Sequence, residues 1–303
     1  MFWTTLATCT VLGLQMLRAF AGPVDSSTTD VDELVMTPGG LIPKSNIHAV
    51  PYGATVHHTP SQVQIIGTDG AILHTAQISN GVKKINIAPT APGTAPRALQ
   101  SGYIAFANWR NTAASQITSF TTVWPVPSTP TSWNGQLLYW FNGLVPDSFD
   151  AILQPVLQYG VSPAGGGEYY SIASWFVVGS NAYHSSLTRV SVGQQLTGVM
   201  TLNSISSTYN WNSIFTGVSA SSLSISTAEV LDWAYEALEI YTTSIPSNLP
   251  AGHTAMTGIN IANGATHPAS IPWSPSSDPG DSVFMSITST SSTSGAVQIT
   301  YPQ

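Results

Sequence analysis

Apolar and polar residues alternate with a period of two along most of this chain, from Ser101 to the C-terminus. The alternating runs are short, rich in β-branched and aromatic residues, and separated by Gly, Pro, Asn and Ser, as strands joined by turns are. Examples are YIAFANW, ITSFTTVW, GQLLYWF, AILQPVLQ, YSIASWFVV, QQLTGVMTL, TAMTGINIA and AVQITY. About twelve such strands are enough for two sheets packed face to face. The sequence therefore predicts an all-β fold, a two-sheet antiparallel β-sandwich of the jelly-roll type, over residues 99–303.

One segment, TAEVLDWAYEALEIY at residues 227–241, is compatible with either helix or strand. Its residues favour a helix, but its aromatic residues alternate with smaller or charged ones, and the neighbouring runs favour a strand. The segment holds four acids: Glu229, Asp232, Glu236 and Glu239. In a strand, Asp232 and Glu236 point to one face and Glu229 and Glu239 to the other.

The N-terminus, MFWTTLATCTVLGLQMLRAFAG, has the length and the small-residue ending of a secretory signal peptide. We expect residues 1–22 to be removed and the protein to be secreted. The single cysteine, Cys9, lies inside this leader, so the mature chain is predicted to contain no disulfide. No later segment is long and apolar enough to be a membrane span.

The charge balance limits the possible partners. Seven Lys and Arg, one of them Arg18 in the leader, stand against fourteen Asp and Glu. A surface so poor in cations cannot neutralise a phosphate backbone, so neither nucleic acid nor a membrane is expected as a partner. The histidines lack carboxylates at ligand spacing, so we expect no metal and no other cofactor. A monomer is expected.

Residues 23–98 form a distinct N-terminal extension. It begins with an acidic, Ser/Thr-rich stretch and ends in the proline-rich segment PTAPGTAPRALQ, which is typical of an exposed linker. Lys83, Lys84 and Arg97 near this linker are candidate processing points. The extension could be a propeptide that is cut off before Ser101, or an N-terminal layer that stays packed on the main domain.

Two glutamines, Gln154 and Gln158, lie in the apolar run AILQPVLQ and share one face of its strand. A buried amide without a partner costs about 1–3 kcal/mol, so such side chains need a partner or a ligand. An acid on the inner face of a sandwich is desolvated and can serve as a general acid or base. An acid and an amide facing each other across a concave sheet could therefore hold a water and stabilise an oxyanion. Alternatively, the acids are solvated and the glutamines bond to nearby backbone.

Four segments resemble, in order, motifs of the glutamic peptidase family (eqolisins) of secreted fungal acid proteases, which use a Gln and a Glu as their dyad. They are ANWRNTAASQITSFTTVWPVPS, WFNGLVPDSFDAILQPVLQYGV, YYSIASWFVVGSNAYHSSLTRVSVGQQL and YEALEIYTTSIPSNLPAGHTAMTGINIANG. The similarity extends over about residues 101–265, and each motif in it is short and loosely kept. It implies a secreted acid endopeptidase, or an inactive descendant of one, that acts on extracellular polypeptides.

The resemblance also implies residue roles. Gln154 is the first choice for the amide, with Gln158 as the alternative in the better QYGV context. Glu236 is preferred as the general base because of its distance along the sequence from Pro250, ahead of Glu239. The substrate cleft is then expected to include four further residues: Trp140, Asn142, Trp175 and Asp232.

The aromatic residues suggest a different class of function. A concanavalin-like sandwich that binds or cleaves a glycan needs a few exposed rings on its concave face, and an acid pair there could serve glycoside chemistry. Nine rings are candidates for this role or for core packing: Trp124, Trp133, Trp140, Tyr159, Tyr169, Tyr170, Trp175, Trp211 and Trp233.

Overall fold

The computed structural model describes residues 32–78 and 102–302. The predicted leader and the proline-rich linker lie outside the described residues. Within the described ranges the chain forms 21 strands and three short 3-10 helices, and no α-helix. The predicted all-β sandwich is confirmed. None of the helices in this part of the chain is long and apolar enough to cross a membrane.

The strands, in chain order, are β1 (Leu34–Thr37), β2 (Gly40–Pro43), β3 (Ile47–Ala49), β4 (Thr55–His58), β5 (Gln62–Ile66), β6 (Ile72–Gln77), β7 (Gly102–Arg110), β8 (Ile117–Pro125), β9 (Leu137–Val145), β10 (Ala151–Ser162), β11 (Gly165–Val178), β12 (Asn181–His184), β13 (Thr188–Arg189), β14 (Gln195–Ile205), β15 (Tyr209–Phe215), β16 (Val218–Thr227), β17 (Trp233–Tyr241), β18 (His253–Asn263), β19 (Ser274–Ser276), β20 (Phe284–Ser289) and β21 (Gly295–Thr300). The 3-10 helices are Lys44–Asn46, Pro246–Asn248 and Pro279–Asp281.

Two large sheets form the sandwich. Sheet A has the order β19-β7-β17-β9-β10-β11-β12-β3, with β13 beside β11, and sheet B has the order β20-β21-β18-β8-β14-β15-β16-β4-β5-β6. The named strands from β7 onwards pair with one another antiparallel. The two parallel pairs, β12 with β3 and β16 with β4, both involve strands of the N-terminal extension.

The ambiguous segment forms strand β17, which begins at Trp233. It pairs with β7 on one side and β9 on the other, and every residue after Trp233 is buried. A central strand satisfies its backbone groups on both edges and buries both of its faces, and this outweighs the helix propensity of its Ala, Leu and Glu residues. The segment therefore contributes to both faces of sheet A.

The core lies between the two sheets, and a second apolar cluster covers the outer face of sheet A. Trp140, Leu157 and Leu238 of sheet A belong to the inter-sheet core, which also contains Trp124 and Phe120 of sheet B. The outer-face cluster includes, from sheet A, Phe106, Tyr139, Phe141, Val156, Trp175, Tyr235 and Tyr241. Strands β1 and β2 form a separate two-stranded hairpin, residues 34–43, that we call the N-terminal hairpin. Its Ile42 is part of the outer-face cluster.

The rest of the described extension is built into the sandwich. Strand β3 ends sheet A, and β4, β5 and β6 extend sheet B. Val56, Val63 and Ile65 of these strands are buried in the inter-sheet core. Residues 47–77 thus form edge strands of both sheets. A cut before Ser101 stays a prediction.

Candidate functional site

Alternation along the strands sorts the candidate residues of sheet A onto two faces. Gln154 and Gln158 of β10 lie on the outer face, because Val156 between them belongs to the outer-face cluster. On β17, Glu239 shares this face, whereas Glu236 points into the space between the sheets, like its neighbour Leu238. The structure does not bring Glu236 together with either glutamine. It does place Glu239, the second choice from the sequence, on their face.

Glu236 is a fully buried part of the inter-sheet core. Its Oε1 accepts a hydrogen bond from the hydroxyl of Thr122, and across the strand pair it faces Asn142. Burial raises the pKa of Glu236 well above its ordinary value, and the Thr122 hydroxyl offsets this only in part. The carboxyl group therefore keeps its proton to higher pH than an exposed glutamate does, and it lies on the opposite face of sheet A from the two glutamines.

Three of the four predicted cleft residues also lie away from the glutamines. Trp140 points between the sheets, where its Nε1 donates to the hydroxyl of Tyr301 at 2.8 Å. Asn142 points the same way, and its Nδ2 donates to the carbonyl of Gly198 at 3.4 Å. Asp232 precedes β17 and is only half-buried. Trp175 is the predicted cleft residue that lies on the outer face, opposite Gln154 in the register of β10 and β11.

Glu239 is fully buried on the outer face, among three tyrosines. Its Oε1 accepts a hydrogen bond from the hydroxyl of Tyr241 and another from the backbone N–H of Gly39, with an N–O distance of 3.4 Å. Burial, and next the charge of Glu239, hold the pKa of Tyr103, Tyr139 and Tyr241 well above the ordinary value. The phenols therefore stay neutral, and Tyr241 donates its hydrogen bond to the carboxyl group.

The two glutamines have different partners. The Nε2 group of Gln158 donates to the carbonyls of Gly160 and Gly165, at 2.8 and 2.9 Å. Gln158 thus holds together the turn between β10 and β11, where the register shifts after Tyr159. Gln154 is fully buried, and its Nε2 donates to the carbonyl of Pro38 in the N-terminal hairpin. Gln154 is therefore the glutamine that contacts another peptide segment.

The peptide bond between Pro38 and Gly39 lies between Gln154 and Glu239. Its carbonyl oxygen accepts from Gln154, and its N–H donates to Glu239. Because the C=O and N–H of a trans peptide point in opposite directions, the two side chains approach the bond from opposite sides. Pro38 and Gly39 are both buried, and a Cβ atom at Gly39 would lie 3.1 Å from Cγ1 of Val177. The turn fits closely against the sheet.

Two cavities are relevant to the candidate residues, one beside the N-terminal hairpin and one beside Glu229. One, of about 730 Å³, adjoins the N-terminal hairpin and is lined by Met36, Leu137, Ala164 and His184, among others. The other, of about 150 Å³, is lined by His58, Asp150 and Glu229. Burial, and next the charge of Asp150, raise the pKa of Glu229 to about 7. Among the described residues no group of three or more His, Cys, Asp or Glu side chains could hold a metal ion.

Sequence reasoning missed the parts of the site that come from distant segments. The TPGG motif at residues 37–40 signals a turn, but nothing local indicates that the turn docks about two hundred residues away along the chain, as the pairing of Gly39 with Glu239 requires. Tyr103, Tyr139 and Tyr241 have the strand periodicity of core residues. Their grouping around one carboxylate depends on the strand order β7-β17-β9.

The fold and the site define a two-sheet β-sandwich that carries a glutamate and a glutamine on one covered face. No protein-family model matches the chain, and no curated protein matches it. Several solved structures are similar to it, among them two peptidases. One is scytalido-glutamic peptidase with a transition state analog inhibitor, at 15% identity and a TM-score of 0.41. The other is SCP-B, a member of the eqolisin family of peptidases, in a complex with the tripeptide Ala-Ile-His, at 14% identity and a TM-score of 0.42. Each similarity covers 67% of this chain and 99% of the other.

Proposed function

We propose that this chain is an acid endopeptidase in which Glu239 and Gln154 act on a peptide bond. One observation carries the proposal: these two side chains contact the two ends of the Pro38–Gly39 peptide bond, the amide at its carbonyl oxygen and the carboxyl at its nitrogen. The amide of Gln154 lies where a hydrolase needs an oxyanion donor, and the carboxyl group of Glu239 lies beside the nitrogen that must gain a proton once the tetrahedral intermediate has formed.

In the proposed reaction, Glu239 takes a proton from a water molecule, and the resulting hydroxide adds to the substrate carbonyl carbon. Nε2 of Gln154 donates to the oxygen on which negative charge develops. Glu239 then passes the proton to the substrate nitrogen, and the C–N bond breaks. One water is consumed, and the products are a carboxylic acid and an amine, which become a carboxylate and an ammonium group when the proton passes from the acid to the amine.

The tyrosines around Glu239 would orient the base. Tyr241 donates to the same oxygen that faces the Pro38–Gly39 nitrogen, so the carboxylate is held in one rotamer. Because the pKa values of Tyr103, Tyr139 and Tyr241 are raised, the phenols do not compete for the catalytic proton by ionising. A buried, preorganised site of this kind strengthens each electrostatic contact with the substrate.

A glycan substrate has less support. Six of the nine candidate rings are buried and pack in the cores, so they cannot stack on a sugar. They are Trp124, Trp140, Tyr159, Tyr170, Trp175 and Trp211. We therefore propose an extracellular polypeptide as the substrate, and secretion as the way in which the enzyme reaches it.

The test is an assay on denatured casein at about pH 4 with pepstatin present, next to a glycan array. The protein is held at the assay pH before the casein is added. We expect wild-type protein to cleave casein and Glu239→Gln to lose at least about 100-fold in rate, because it removes the general base. Glu168→Gln makes the same change at an exposed carboxylate and should leave the rate unchanged. Equal rates for Glu239→Gln and wild type, or silence on protein together with glycan retention, would overturn the proposal.

A further inference from the structure

We propose that the chain cleaves its own Pro38–Gly39 bond, and that this cut opens the site to other polypeptides. The inference rests on the proposed function of Glu239 and Gln154 and assigns a substrate and a processing site to it. It differs from the expected cut before Ser101, at the end of the proline-rich linker, which lies about sixty residues further along the chain.

The N-terminal hairpin is bound as a substrate segment would be. Its turn is buried, and both hydrogen-bonding groups of the Pro38–Gly39 bond are taken by the two proposed catalytic side chains. The flanking residues add apolar and backbone contacts: Ile42 is part of the outer-face cluster, Met36 packs against it, and the Tyr139 hydroxyl donates to the Met36 carbonyl at 3.4 Å. The bond is thus presented to the site, and no added polypeptide can reach Gln154 while the turn is in place.

The cut is a hydrolysis that needs only the chain itself and one water molecule. Water adds across the Pro38 carbonyl carbon and the Gly39 nitrogen, the C–N bond breaks, and the proton carried by Glu239 goes to the Gly39 amine. Pro38 becomes a C-terminal carboxylic acid, and Gly39 becomes a new N-terminal amine, which can then take the acid's proton. No oxidant, metal or other co-reactant is needed.

After the cut the upstream half of the hairpin is held by noncovalent contacts, which include its pairing with β2, the hydrogen bond from Tyr139 to the Met36 carbonyl and the burial of Thr37. Strand β1 pairs with β2 alone. Its other polar contacts include an exposed ion pair between Glu33 and Lys44, 2.8 Å apart, and exposed hydrogen bonds from Ser45 to Asp32. An exposed ion pair of this kind adds little to stability, because water and salt screen the two charges. Release of this half would join the outer face of sheet A to the adjoining cavity of about 730 Å³, which Val35 and Met36 help to close.

The downstream part of the extension stays in place in this scheme. Strand β3 is held by β12, and β4 by β16, so residues 47–77 remain in the two sheets. A cut before Ser101 followed by loss of the extension would instead strip four strands and expose the buried Val56 and Val63. The Pro38–Gly39 cut clears the site without such a loss.

The experiment follows the purified full chain at about pH 4 by intact mass and N-terminal sequencing. We expect a product that begins at Gly39, formed at a first-order rate that does not change with protein concentration. Glu239→Gln should stay uncut, and Glu168→Gln should be cut like wild type. A cut that persists in Glu239→Gln, or a rate that rises with protein concentration, would overturn self-cleavage.

A second variant, Gly39→Ala, separates self-cleavage from the cleavage of other polypeptides. Gly39→Ala places a Cβ 3.1 Å from Val177 Cγ1 at a φ of +144°, so the turn should be pushed out of the site. We expect self-cleavage to slow at least tenfold while an added reporter peptide is still cut. If wild type cleaves the peptide with its Pro38–Gly39 bond intact, self-cleavage is wrong and the proposed function stands. If neither bond is cut by wild type, both are wrong.

Discussion

At the scale of single residues, two glutamates three positions apart on β17 have opposite surroundings. Glu236 is enclosed between the sheets with Thr122, and Glu239 lies on the outer face with Tyr241 and the Gly39 N–H. Because they are three positions apart in one strand, the sequence already predicts that they lie on opposite faces. Whether Glu236 or Glu239 lies on the same face as Gln154 depends on how β17 pairs with β9 and how β9 pairs with β10. No local sequence pattern fixes these pairings. The sequence alone therefore does not decide which of the two glutamates shares a face with the glutamines, and its preference for Glu236 was open to error.

The raised pKa of Glu236 leads to a prediction about stability and pH. The folded state holds the Glu236 proton at pH values where the unfolded chain has lost it, so this group destabilises the fold as pH rises above its ordinary pKa of 4.5. Glu236→Gln keeps a neutral polar group and removes this cost. We expect the variant to melt near the wild-type temperature at about pH 4 and above it at about pH 8. The same melting difference at both pH values would contradict the burial of Glu236 as an acid.

At the scale of elements, sheet B approaches sheet A closely where β14 crosses β9 and β10. Gly198 of β14 makes this possible, because a Cβ there would lie 2.6 Å from Oδ1 of Asn142, 2.8 Å from the Trp124 ring and 2.9 Å from Cγ of Pro155. Gly198→Ala should therefore destabilise the fold by about 1–3 kcal/mol. Urea denaturation measures this, with Thr201→Ala on the exposed face of the same strand as a control. Equal midpoints for both variants would contradict the close packing.

Element prediction from the sequence was most successful where alternation is strong and local. The strand nature of β17 followed from its aromatic alternation and its neighbours, in spite of its Ala, Leu and Glu content. The shared face of Gln154 and Gln158 also followed from period two. The position of Trp140 between the sheets did not, because an aromatic strand residue suits either face of a sheet that is buried on both sides.

At the scale of the whole molecule, the described extension has two roles. Residues 47–77 provide edge strands of both sheets, and the N-terminal hairpin covers the site. Sequence composition marked the extension off by its proline-rich end but could not show its strands in the sheets, since pairing between β16 and β4 joins segments far apart in the chain. The parallel pairing of those strands was also unexpected for an antiparallel sandwich.

Truncation tests this organisation. A chain that begins at Ser101 lacks β3 to β6 and exposes the edge of β16 and apolar core surface, so we expect it to aggregate or fail to fold. A chain that begins at Gly39 keeps those strands and should be soluble with wild-type strand content. Circular dichroism and size-exclusion chromatography compare the two. A soluble Ser101 chain that melts like wild type would show that the extension is dispensable for the fold.

In the proposed mechanism Glu239 and Gln154 act together on one peptide bond. The most direct measurement is kcat/KM on a reporter peptide for Gln154→Ala, Glu239→Gln and the double variant, with Gln158→Ala as the matched amide control. We expect a loss of about 100- to 1,000-fold for Gln154→Ala. Because residues that act as a unit are not additive, the double variant should be no more than a few-fold worse than Glu239→Gln. Losses that multiply in the double variant, or a wild-type rate for Gln154→Ala with a collapse for a well-folded Gln158→Ala, would contradict the claim.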